Sequence, residues 1–84
     1  MRTSDMPFAV LRRLLLDLDF AEKSGPGAQR IFEHPASDTI LIFRPYAVNE
    51  KVNIPDVISV RKQLDERGLL AADSFDRKLQ KTPA

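Results

Sequence analysis

Phe8, Leu11, Leu15 and Leu18 recur at helical spacing, flanked by Leu14, while Arg12, Arg13 and Asp17 lie off the centre of that stripe or on its edge. The pattern predicts an amphipathic helix of roughly three turns. Ser4 or Asp5 would cap it, and Pro7 in the first turn would lose little through its missing N–H. Phe20 to Lys23 then reads as a short first strand, closed by the turn signal Ser24-Gly25-Pro26-Gly27. Ala28 to Glu33 reads as a second strand and His34-Pro35-Ala36-Ser37-Asp38 as a second turn. Thr39-Ile40-Leu41-Ile42-Phe43, β-branched and aromatic, is the clearest strand in the chain.

Period-two alternation sends Gln29, Ile31 and Glu33 to one face of the second strand and Arg30 and Phe32 to the other, so Phe32 is the core residue. The third strand does not alternate. Ile40 and Ile42 share one face, Leu41 and Phe43 the other, and both faces call for burial. After a loop from Arg44 to Lys51, Pro55 and Asp56 mark the start of a helix. Val57, Val60 and Leu64 line one side of it, and Gly68 ends it. Leu69 to Lys81 reads as a third short helix, capped by Asp73 or Ser74. The order is helix, three antiparallel strands, helix and C-terminal extension, an α+β fold with its helices on one sheet face. The second face would be covered by the extension through Leu70, Phe75 and Leu79, or by a partner.

The chain has 84 residues, which suits one small domain spanning 1–84 with a thin core. Lys and Arg number 13 against 12 Asp and Glu, for a net charge of +1. That balance gives no general attraction to nucleic acid or membrane, so any polyanion surface needs local clustering. With no cysteine and a single histidine, disulfide frameworks, zinc–thiolate sites and histidine metal clusters are excluded. The apolar run from Phe8 to Leu18 is too short and too charged for a membrane span. The expectation is a cytoplasmic protein that needs no cofactor.

One segment carries a more specific signal. Gly27-Ala28-Gln29-Arg30-Ile31-Phe32-Glu33-His34-Pro35 resembles the Gly-Ser-His-x-x-Phe-x-His-Pro run of HicA-like toxins, with Ile54-Pro55, Lys62-Gln63-Leu64 and Gly68-Leu69 following in the matching order. The similarity covers about residues 7–69. It implies an αβββα fold like that of double-stranded-RNA-binding domains, with a short C-terminal helix added. It further implies a role in a toxin–antitoxin pair, contact with RNA, and a HicB-like antitoxin as partner. Family members are metal-independent ribonucleases (mRNA interferases) whose catalytic histidine follows the Gly-Ser pair. In this chain Gln29 occupies that position, and Ala28 stands where the serine would be.

Metal-free RNA cleavage needs a group that takes a proton from a 2′-hydroxyl and one that returns a proton to the leaving oxygen. Glutamine does neither, and losing such a group costs about 10²–10⁴ in rate. Gln29 is therefore either a binding residue at a silent site or a solvent-facing polar residue. His34 is the alternative catalytic candidate, but five residues of strand separate it from Gln29 by about 16 Å. Its plainer role is a local hydrogen bond in the His-Pro turn. Arg30, Lys23, Arg44 and Tyr46 are the candidate RNA contacts, with Tyr46 able to stack on an unpaired base. Arg12, Arg13, Arg61 and Lys62 are further basic positions whose shared face is not given by the sequence. Gly25 and Gly27 precede neither a lysine nor a helix, so they do not form a phosphate loop. Two functions follow: an RNA-engaging HicA-like protein with impaired or absent cleavage, or a catalytically silent module that binds an antitoxin or itself on the same scaffold.

Overall fold

The computed structural model of the chain describes residues 6–80, with side chains through Lys78. Helix α1 (Phe8–Asp17) is followed by strands β1 (Ala21–Ser24), β2 (Arg30–His34) and β3 (Thr39–Phe43), then helices α2 (Ile54–Glu66) and α3 (Ala72–Gln80). The three strands form one antiparallel sheet in the order β1-β2-β3, so the expected αβββα order with an added helix is present. Ser24 pairs with Arg30 across the first turn, and His34 pairs with Thr39 across the second.

Most of the helix stripes read from the sequence are buried: Phe8, Leu11, Leu15 and the flanking Leu14 on α1, and Val57, Val60 and Leu64 on α2, while Leu18 lies past the end of α1 and is half-buried. They pack with Phe32, Leu41 and Phe43 from the sheet, and with Met6, Tyr46, Val52 and Phe75. Phe8 sits at the centre of an aromatic cluster, stacked on Tyr46 at 5.4 Å and edge-on to Phe43 at 5.9 Å.

The start of α1 differs from expectation. Ser4 and Asp5 lie outside the described residues, and Pro7 is the N-cap, with no side-chain cap. The amides of Phe8 and Ala9 are instead satisfied by the carbonyls of Glu50 and Val48, both at 2.8 Å. Val52 N–H in turn donates to the Met6 carbonyl at 2.9 Å. The loop from 44 to 53 thus supplies the acceptors that a capping side chain would otherwise provide.

Both α1 and α2 end in the same way. Asp19 (φ 70°) and Gly68 (φ 70°) are left-handed. The next amides, Phe20 and Leu69, reach back five residues to the Leu15 and Leu64 carbonyls at 3.0 and 2.9 Å. This closure uses up the last carbonyls of each helix. It also commits Phe20 to the end of α1 and delays β1 by one residue, to Ala21.

The third helix corrects a second expectation. It starts at Ala72, so Asp73 lies in its first turn and does not cap it. It packs on α2, where Arg61 forms two hydrogen bonds to Asp76 at 3.0 and 3.1 Å. Phe75 is fully buried in the core shared by the helices and the sheet, and Leu69 and Leu70 pack against that core. The Leu79 side chain lies outside the described ones. α3 therefore does not cover the second sheet face: Ile40 and Ile42 remain 55% and 61% exposed.

Candidate functional site

The turn before β2 begins with Gly25 N–H donating to the Gln29 carbonyl at 2.9 Å. Gly27 and Ala28 both take left-handed backbone, at φ 66° and 63°. Glycine adopts that conformation freely, whereas alanine loses about 1 kcal/mol there. Gln29 lies between this turn and the first residue of β2, and it is exposed.

Beside it lies a cleft of about 340 Å³, lined by Glu22, Lys23, Ser24, Ala28, Arg30, Pro45, Tyr46, Ala47 and Glu50. Three of the four sequence-predicted RNA contacts, Lys23, Arg30 and Tyr46, thus border one cavity. The fourth, Arg44, reaches its rim through Glu50 at 2.9 Å. Gln29 sits between two residues of the lining.

Each of these side chains is already engaged. Arg30 lies on the core-facing side of β2 with its guanidinium over the Phe8 ring at 4.8 Å. Its Nε donates to the Tyr46 carbonyl at 2.8 Å and its Nη1 to Glu22 Oε2 at 3.0 Å. The other oxygen of Glu22 accepts from Arg12 Nε at 2.7 Å, so one carboxylate joins α1, β1 and β2. Lys23, on the opposite sheet face, pairs with Glu33 at 3.1 Å.

Tyr46 is 1% exposed. Phe8 stacks on its ring, and the Arg44 guanidinium lies over it at 4.7 Å. Its hydroxyl donates to Asp56 and accepts from Asn53 N–H at 3.0 Å. Burial, reinforced by the Asp56 hydrogen bond, pushes this phenol above its ordinary pKa. The ring has no face open to a base, which corrects the stacking role expected of it.

Glu50 accepts from Ala47 N–H at 3.0 Å, and that bond, more than the neighbouring Arg44, holds its carboxyl below the ordinary value. Glu50 in turn is the main cause of the raised Arg44 pKa.

His34 stands at the other end of β2, away from Gln29. Its Nδ1 is 2.8 Å from Ser37 Oγ, which is 2.7 Å from Thr39 Oγ1, and its ring lies 5.1 Å from Phe20. The two catalytic candidates are therefore not brought together. The Ser37 hydroxyl is bound up with two neighbours of its own turn, the local role expected of a His-Pro turn.

The sequence reading missed the carboxylates. Glu22 and Glu50 offset most of the positive charge here: Glu22 is shared by Arg12 and Arg30, and Glu50 holds Arg44. The signal for Glu22 lay in the hairpin: once Ser24 is set opposite Arg30, Glu22 and Arg30 share a face as diagonal neighbours. The signal for Glu50 was weaker, since nothing local ties it to Arg44. Chemically, the cleft can hold a polar ligand through neutral hydrogen bonds. Gln29 moves no proton at neutral pH, and the nearby carboxylates are held as ion-pair acceptors. Comparison of the chain with protein-family models, with curated proteins and with solved structures finds no match.

Proposed function

We propose that this chain is a catalytically silent protein–protein interaction module of the cytoplasm, built on a HicA-like αβββα scaffold. The observation that carries the reading is the adjacent pair Ile40 and Ile42, exposed on a strand at the edge of the sheet. An edge strand without charge, proline or bulge offers both apolar surface and unpaired backbone groups to another chain.

The electrostatics support the same reading. Arg12, Arg13, Lys23, Arg30, Arg44, Arg61 and Lys62 each lie within ion-pair distance of a carboxylate. A phosphate approaching any of them meets a negative charge beside the positive one, so little counterion release is left to drive RNA binding. The clustering of Lys23 and Arg30 about the cleft beside Gln29 favours the second reading, an RNA-engaging HicA-like protein with its cleavage lost.

Binding of labelled single- and double-stranded RNA at low and at moderate salt separates the two. The interaction module shows little affinity at either salt and no cleavage. Tight binding that falls steeply with added salt would overturn it in favour of the RNA reading.

A further inference from the structure

Strand β3 is an edge strand, and none of the described backbone hydrogen bonds outside the helices and the sheet involves residues 39–43. A groove of about 70 Å³ runs between this edge and α2, lined by residues 40–43 and by Asp56, Ser59, Val60 and Gln63. Of the α2 residues here only Asp56 is charged, and the Tyr46 hydroxyl already holds it. The overhanging helix therefore sets no strong charge against an incoming strand.

From these features we propose that the occupant of this edge is a second copy of the chain, with β3 paired antiparallel to its partner's β3 about a two-fold axis through Leu41. The inference rests on the interaction-module reading and adds the identity of the partner.

Self-complementarity of the strand carries the choice. A two-fold at Leu41 places position 40 opposite 42, so Ile40 of each chain meets Ile42 of the other on the exposed face. Ile31 already flanks Ile42 on β2, so each row of isoleucines extends across the junction. Just beyond the strand ends, position 38 lies across from position 44, which brings Asp38 of each chain near the other's Arg44, a guanidinium that also keeps its own Glu50 at 2.9 Å. Asp38 and Arg44 are both exposed in the single chain. The pairing thus sets two apolar cross-strand pairs about one axis, with residues of opposite charge near each end, and adds about four to six backbone hydrogen bonds. A parallel, in-register pairing would instead bring Asp38 to Asp38 and Arg44 to Arg44, which is unfavourable at both ends. An isologous contact of this kind closes after two copies. The result is a continuous six-stranded sheet with no exposed β3 edge.

The absence of cysteine allows a direct test of register. Ile40→Cys and Ile42→Cys are made as separate proteins, both at exposed positions, and mixed under mild oxidation. Directly opposed residues lie about 4.5–5.5 Å apart at Cβ, against about 7–8 Å for diagonal ones. The proposal expects disulfides mainly between unlike chains, with few in either variant alone. Sedimentation velocity on the native chain should give twice the 9.5 kDa chain mass. Ile42→Lys should raise the dissociation constant about tenfold or more with unchanged circular dichroism. Cross-linking within each variant alone, or a native monomer throughout the micromolar range, would overturn the self-pairing. A native monomer that also binds RNA in a salt-dependent manner would overturn the interaction reading as well. A dimer unaffected by Ile42→Lys would overturn the β3 interface while the interaction reading stands.

Discussion

Glu22 illustrates how one side chain changes the meaning of its neighbours. It accepts from Arg12 and Arg30 on two different elements, and Arg30 is further fixed by the Tyr46 carbonyl and the Phe8 ring. Replacing Glu22 by alanine leaves a half-buried guanidinium short of its carboxylate. A loss of about 1.5–3 kcal/mol is expected from chemical denaturation. Lys23→Ala, at the exposed pair with Glu33, should cost less than about 1 kcal/mol.

Ala28 makes the opposite prediction. Its left-handed backbone is strained, so Ala28→Gly should stabilise the fold by about 0.5–1 kcal/mol, less any entropy the glycine adds to the unfolded chain.

Tyr46 is the only tyrosine, so ultraviolet titration reports on it alone. Its raised pKa means that the folded state holds the phenolic proton more tightly than the unfolded one. The associated stability is full below about pH 10 and is lost as pH rises from there through the folded-state value. A midpoint at or below the ordinary tyrosine value would contradict the buried, Asp56-bound hydroxyl.

At the scale of elements, what was legible in the sequence is what depends on near neighbours. β3 has the bounds that its β-branched run marks. α2 starts beside Pro55, and its Val57, Val60 and Leu64 face is the buried one. What was not legible depends on contacts far along the chain. The α1 cap comes from carbonyls some forty residues away, and no local pattern reports them. The two-faced β3 was read correctly as a strand with apolar residues on both sides. Of the two covers expected for its second face, the extension is not one, because α3 packs on α2 through Arg61 and places Phe75 in the shared core.

The loop that caps α1 is itself tied by Glu50, whose lowered pKa gives a further expectation. The folded state binds that proton more weakly, so the contribution is present above the ordinary carboxylate value of 4.5 and is lost as pH falls below it. Protection of the Phe8 and Ala9 amides, taken relative to their intrinsic exchange rate at each pH, should fall with the loosening of this loop on acidification. The fall should be smaller in Glu50→Gln, which lacks the titrating group.

For the whole molecule, a net charge of +1 is spread over a surface on which Arg12, Arg13, Lys23, Arg30, Arg44, Arg61 and Lys62 sit beside carboxylates. Such a surface steers neither toward nor away from a polyanion. Val48, Ile54 and Ile58 are exposed as well, but Ile40 and Ile42 are the exposed apolar residues that share one face of an edge strand. A monomer that keeps such an edge accepts an aggregation hazard, which pairing with a defined partner removes.

Hydrogen exchange of the β3 amides, followed against protein concentration, tests this account most directly. Amides that point away from β2 are open to solvent in a monomer and are bonded to the partner strand in the two-fold pair. The account predicts that their protection rises with concentration in the native chain and stays low and flat in Ile42→Lys. Fast, concentration-independent exchange at the outward-facing amides of the native chain would contradict it.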